Sequence, residues 1–180
     1  MPLHPFVFAL LAIWPCVASA DPASDKREIL VVVDAFRNAI VDKDRQAFLD
    51  LFLHEGVTWQ SVMSEEDFRL EKARNRHATR ATHQPDRSPA QFIQGIVDNP
   101  VAIEETFENA LIDTDGAAAS VAFDFEFLRN GKAVNLGREY WLLVRTDAGW
   151  KIASVVWSNN RADAPEGRKQ DNSRAIAPSQ

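Results

Sequence analysis

Apolar residues recur along this chain at two periods, and the change from one to the other divides it. Ile29, Val32, Val33, Phe36 and Ile40 follow helical spacing and form one stripe, the face a helix buries against a core. Lys26, Arg27, Asp34 and Arg37 fall mostly off it. The helix is expected to start near Asp25, which stands at capping-box spacing from Glu28. Asp42-Lys43-Asp44 breaks the pattern and caps a second helix, with Phe48, Leu49, Phe52 and Leu53 on its buried side and Gly56 at its end. Val57 to Val62 reads as a short strand. Ser64 and Asp67 are spaced to cap a short helix through about Ala73. Ser88-Pro89 opens a further helix, with Ser as N-cap and Pro at the first position. Phe92, Ile93, Ile96 and Val97 form its buried face, and Asn99-Pro100 stops it.

From Val101 to Asn159 the period becomes two. The turns at Asp113-Thr114-Asp115-Gly116, Asn130-Gly131 and Asp147-Ala148-Gly149 mark four strands joined as a meander. Asn130-Gly131 is a preferred two-residue hairpin turn. It pairs Arg129 with Lys132, Phe127 with Val134, Phe125 with Leu136 and Phe123 with Arg138. That register puts Val121, Phe123, Phe125, Phe127, Val134, Leu136, Tyr140, Leu142 and Val144 on the core face, with Arg138 among them. Three-residue turns at the other two positions add Ile152, Ser154, Val156 and Ser158, and Ile103, Glu105, Phe107, Asn109 and Leu111. Trp141, Leu143, Ala153, Val155 and Trp157 then gather on the outer face. An outward patch with two Trp marks an interface, unless the tail or the N-terminal segment covers it. Helices first and a meandering sheet after them predict a single α+β domain: a curved, mostly antiparallel sheet wrapped around two to three N-terminal helices.

The ends read differently from this body. Phe6 to Trp14 is an apolar run too short to span a bilayer, and Ala18-Ser19-Ala20 has the small-x-small pattern of a signal-peptidase site. Residues 1–20 are therefore expected to be a signal peptide removed before Asp21, giving a periplasmic or secreted protein; an uncleaved N-terminal anchor is the alternative. Cys16 is the one cysteine and would leave with the signal, so no disulfide is expected in the mature chain. Residues 21–162 form the expected domain. Residues 163–180 are polar, with Pro165, Gly167 and Pro178, and are expected to be a disordered tail.

The net charge of −6 argues against general nucleic-acid binding. No other apolar run approaches transmembrane length. One segment departs from the acidic balance: Arg69, Lys72, Arg74, Arg76, Arg80 and Arg87 are set against only Glu71 and Asp86, with His77 and His83 between them. It is either a solvated helix and loop or an anion-attracting rim or lid.

The run Phe36…Asp42…Phe48-Leu49-x-Leu51-Phe52, the following Val57-Thr58-Trp59, and the closing hairpin Tyr140-Trp141…Gly149-Trp150-Lys151-Ile152…Trp157-Ser158 together resemble the nuclear-transport-factor-2-like superfamily. This is also called the SnoaL-like or cone fold, and the resemblance covers roughly residues 25 to 160. It implies a sheet curved around a conical cavity and an outer sheet face that often forms a dimer. Members include ketosteroid isomerases, dehydratases, polyketide cyclases, epoxide hydrolases and binding domains without catalysis, so the fold leaves function open.

The candidate pocket residues are Arg138, Glu105, Asn109, Tyr140, Trp59 and Phe123. Arg138 on an apolar strand face must be paired, and Glu105 is the nearest candidate. The pair either orients a polar ligand group or is a structural ion pair at the cone mouth. Tyr140 is either a pocket group or a core aromatic. The candidate dimer contacts are Trp141, Leu143, Val155 and Trp157. His54, His77 and His83 show no ligand spacing, so neither a metal nor another cofactor is expected. Neither a phosphate loop nor a nucleophile elbow is found. Two functions fit. The first is a pocket domain that binds a small amphipathic or acidic molecule without catalysis. The second is a lyase, isomerase or hydrolase of the SnoaL-like type, acting on a small hydrophobic substrate through Arg138, Glu105 and Tyr140. A perturbed carboxylate facing a cavity favours the second; a wall of Phe, Leu and Val alone favours the first.

Overall fold

The computed structural model describes residues 22–81 and 87–162. The signal and the tail read from the sequence therefore lie outside the described residues. Within them the order is α1 (Pro22–Val41), α2 (Arg45–Leu49), β1 (Thr58–Met63), α3 (Glu65–Arg74), α4 (Pro89–Val97), β2 (Ile103–Thr114), β3 (Ala118–Arg129), β4 (Lys132–Thr146) and β5 (Gly149–Arg161). The strands form one sheet in the order β1-β5-β4-β3-β2. β1 runs parallel to β5 and the other neighbours are antiparallel. The class is α+β, helices first, as the periodicity predicts.

The helices start where local chemistry lets them. Asp44, Ser64 and Ser88 accept hydrogen bonds from the backbone N–H of Ala47, Asp67 and Gln91, each satisfying a donor that the first helical turn leaves free. α1 begins three residues before the expected Asp25. Asp25 is not its cap. Its buried carboxylate pairs with Arg145 of β4, whose guanidinium also reaches Glu28 at 3.2 Å and stacks 4.7 Å from the Trp150 ring centre. Asp67 likewise leaves the capping box and accepts from the backbone N–H of Arg161 at 2.9 Å, tying α3 to the end of β5.

The core lies between the helices and one sheet face. Ile29, Val33, Phe36 and Ile40 of the α1 stripe are buried. Phe36 sits at the centre, with ring centres 4.7 Å from Phe48, 4.7 Å from Trp141 and 5.9 Å from Phe107. A buried aromatic with such neighbours is worth about 3–5 kcal/mol against alanine.

Three register shifts decide what each sheet face carries. Val134 is an extra residue in β4, since Leu128 pairs with Ala133 but Phe127 pairs with Asn135. Ala153 is extra in β5, between Leu142–Ser154 and Leu143–Ile152. In β2, Asn109 and Ala110 together oppose the single Phe123, and Asn109 takes a left-handed φ of 54°. Each bulge reverses the inward–outward alternation beyond it. Phe123 therefore pairs with Glu139, and Arg138 pairs with Asp124.

This corrects the expected faces. Trp141, Leu143 and Val155 are fully buried core residues, and Trp157 packs partly buried against that core. None of the four lies on an exposed outer face. Tyr140, Leu142 and Leu111, expected inside, are instead exposed on the outer face. The inward places of Ile103, Glu105, Val121, Phe123 and Phe125 agree with the alternation read from the sequence.

Candidate functional site

The inner sheet face and α4 enclose a cavity of about 140 Å³. β1 contributes Trp59, α4 contributes Phe92, and β3 contributes Phe125 and Phe127. β2 brings Glu105, β4 brings Asn135 and Glu139, and β5 brings Trp157 and Asn159. Arg87 stands just before α4. The aromatic part is continuous: ring centres are 5.1 Å apart for Trp59 and Trp157, 5.2 Å for Trp59 and Phe92, and 6.1 Å for Phe92 and Phe127.

The polar part is two carboxyls. Glu105 and Glu139 are each 4% exposed. The Trp141 indole donates a 2.7 Å hydrogen bond to Glu139 Oε2. Glu105 has no hydrogen-bond or ion-pair partner among the described residues, and it lines the cavity. Burial pushes the Glu105 carboxyl well above the ordinary carboxylate range, and the neighbouring Glu139 pushes it further. Burial raises Glu139 to about 7, against the lowering effect of its bond from Trp141. Two buried acids that act on each other electrostatically, with no cation paired to either among the described residues, resist being ionised together.

Of the residues proposed from the sequence, Trp59 and Glu105 meet in this cavity. Phe123 lies beneath it in the core, its ring centre 4.5 Å from Phe107 and 4.9 Å from Trp141. Arg138, Asn109 and Tyr140 do not reach it. Arg138 donates to Asp124 Oδ1 at 2.9 Å, and Asn109 donates to the other Asp124 oxygen at 2.8 Å. Tyr140 lies 51% exposed, with the Arg138 guanidinium 6.0 Å from its ring centre. The expected Glu105–Arg138 pair is thus replaced by an Asp124–Arg138 pair across β3 and β4. The Val134 bulge is the reason.

Glu139 escaped the sequence reading for the same reason. Tyr140-Trp141-Leu142-Leu143-Val144 is apolar at both alternations, so a period of two does not choose its face. The periodicity of the sequence places Trp157 on the outer face and Phe92 and Phe127 in the core alone.

A larger hollow of about 500 Å³ lies on the outer face, between Leu111, Ala122, Tyr140, Leu142 and Val156. Its walls carry no buried ionisable group, so the smaller cavity is the better candidate for chemistry. Among the described residues no group of three or more His, Cys, Asp or Glu is placed to hold a metal ion. No described helix is long and apolar enough to cross a membrane.

No family model matches the chain, and no curated protein matches its sequence. Solved structures do match its shape. A nuclear-transport-factor-2-like superfamily protein from Salmonella enterica is 19% identical, with 82% of this chain and 99% of that one covered and a TM-score of 0.55. A protein from Streptomyces avermitilis, described as a candidate dehydratase of the NTF2-like family, is 18% identical, covering 79% and 100%, at a TM-score of 0.55. An NTF2-like protein with a cystatin-like fold from Novosphingobium aromaticivorans is 15% identical, covering 79% and 86%, at 0.54. Identities this low speak for architecture alone, and the architecture they share with this chain is the α+β cone of the nuclear-transport-factor-2-like fold.

Proposed function

We propose that this chain is a proton-transfer enzyme acting on a small, largely hydrophobic substrate, with Glu105 and Glu139 as its acid and base. One observation carries the reading: two buried carboxyls without a cationic partner face an aromatic-walled cavity. Carboxyls driven upward by burial are matched to acid–base work near neutral pH. Glu105, held well above the usual range, is the donor. Glu139, near 7, is the acceptor when ionised. In an elimination of water, Glu139 takes a proton from carbon, the C–H electron pair becomes the new double bond, and the C–O bond breaks. Glu105 protonates the departing hydroxide to give water. The same pair moves a double bond when Glu105 protonates a second atom instead. The Streptomyces protein described as a candidate dehydratase shares this architecture, which supports the reaction class by analogy of fold.

The test is turnover of a panel of small β-hydroxy carbonyl compounds, followed by NMR in deuterated water. Glu105→Gln and Glu139→Gln should each abolish water loss while the fold persists. Turnover unchanged by both removes the assignment.

A second reading keeps the cavity and drops the reaction: a domain retaining a small amphipathic molecule. The near-continuous wall formed by Trp59, Phe92, Phe127 and Trp157 favours it. Native mass spectrometry of protein purified from its host separates the two, since a bound molecule recovered unchanged supports retention.

Export and self-association belong to the same proposal. The Phe6–Trp14 run and Ala18-Ser19-Ala20 support secretion or transfer to the periplasm. N-terminal sequencing should begin at Asp21, and a mature chain that retains Met1 refutes export with cleavage. The homodimer is proposed through the outer sheet face, with Leu111, Tyr140, Leu142 and Val156 as contacts in place of Trp141, Leu143, Val155 and Trp157.

A further inference from the structure

The cavity is short of positive charge. Glu105 is buried, free of hydrogen bonds among the described residues, and turned to the void. Glu139 sits near enough to act on it electrostatically and takes one bond, from Trp141. The cation of the lining is Arg87, an exposed residue before α4 that forms no ion pair with either acid. The same lining holds Trp59, Trp157 and Phe92, with the Trp59 ring centre 5.1 Å from Trp157 and 5.2 Å from Phe92.

We propose that this cavity receives the head group of a small methylated organic ammonium ion, held against Trp59 and Trp157 and neutralised by Glu105 and Glu139. The two acids and the tryptophan rings of the lining fit that chemistry. A burial cost for two acids is offset when a cation enters between them. Tryptophan is the best aromatic partner for a cation, and the attraction strengthens when water is excluded. Ring faces offer no lone pairs to a metal ion, and among the described residues no group of three or more His, Cys, Asp or Glu is placed to hold one. A methylated ammonium is weakly hydrated and presents methyl groups to the rings. The cavity of about 140 Å³ has room for roughly four or five waters, about the size of a quaternary ammonium head. The raised acid titrations are what such a site is expected to show before its cation arrives. Arg87 then meets whatever lies beyond the head group.

This inference rests on the cavity being the ligand site; it uses Glu105 and Glu139 as ionised counter-ions, and so competes with the acid and base roles given to them under the proposed reaction. Its test compares choline with its neutral isostere, in which carbon replaces nitrogen, by calorimetry and by the change in tryptophan fluorescence of the full chain. The charged groups facing the head group are Glu105 on β2, Glu139 on β4 and Arg87 before α4. At about pH 8 choline should bind at least about tenfold more tightly than the isostere. Its affinity should fall at about pH 6, where the acids hold more protons, while that of the isostere should not. Glu105→Gln with Glu139→Gln should sharply reduce the preference, leaving only the share of the tryptophan rings, and leave isostere binding in place. Equal or tighter binding of the isostere to the wild type overturns the ammonium inference while the cavity stands as a ligand site. Absence of binding by either compound overturns both.

Discussion

Trp141 donates its indole N–H to Glu139, two residues before it on the same face of β4, at 2.7 Å. Trp141 is wholly buried, with its ring centre 4.7 Å from Phe36 and 4.9 Å from Phe123. The packed core therefore fixes the acid's position. The bond favours the ionised carboxylate, so it holds Glu139 below where burial alone would put it. Trp141→Phe should move the Glu139 titration upward from about 7. NMR of side-chain-labelled Glu resolves this. A titration unchanged or lowered in Trp141→Phe contradicts the role given to the bond.

The same acids tie stability to pH in an unusual direction. A carboxyl whose folded titration lies above its unfolded one binds protons more readily when folded, so its contribution is largest at low pH and is lost as pH rises. For Glu139 the window runs from the reference value of 4.5 to about 7. Glu105 shifts in the same direction. Across the Glu139 window the loss is on the order of 3 kcal/mol. Denaturant unfolding at about pH 5 and pH 8 should show the wild type losing stability relative to Glu105→Gln with Glu139→Gln. A difference that stays constant between the two conditions means the acids are not perturbed.

Gly137 is required by a close approach of two backbones. A Cβ there would lie 2.0 Å from the Ser158 carbonyl oxygen and 3.0 Å from the Phe125 ring. The Ser158 hydroxyl accepts from the Arg138 N–H at 3.0 Å, so β5 is held in place beside this position. Gly137→Ala must push β4 from β5 and should cost roughly 1–3 kcal/mol. It should also disturb the cavity wall at Phe125. An unfolding midpoint equal to that of the wild type means the strands are further apart than described.

What the sequence made legible was whatever a short window contains. The α1 stripe, the Ser88-Pro89 helix start and the Asn130-Gly131 turn are each decided by neighbouring residues, and each is found. Glu105 was legible because β2 alternates cleanly from Ile103 to Phe107 before its bulge. The face of β4 was not. Its register past the turn depends on one unpaired residue, Val134, and the apolar run from Tyr140 to Val144 suits either face. That single slip moved Arg138 and Tyr140 out of the pocket, hid Glu139, and exchanged a buried tryptophan for an exposed tyrosine. Ala153 repeated the effect on β5 and reversed Val155 and Trp157.

The exchange leaves the outer face apolar by other residues. Leu111 is 64%, Tyr140 51% and Leu142 56% exposed, and they border one hollow from β2 and β4, on either side of Ala122 of β3. Large apolar groups gathered in one place on a sheet mark a contact surface. A second copy is the partner we propose, since a twofold axis over the hollow would match the patch against itself. Tyr140→Lys with Leu142→Lys places like charges across such an axis and should convert a dimer to a monomer by light scattering. Both side chains point away from the core, so neither substitution should lower the stability of the monomer by more than about 0.5 kcal/mol. Trp141→Ser, at the buried neighbour, should instead destabilise the monomer itself by several kcal/mol, about 3–5 on the scale of a lost buried aromatic. A wild type that is monomeric at high concentration sinks the dimer. A Tyr140→Lys, Leu142→Lys protein that still dimerises assigns the contact to another face.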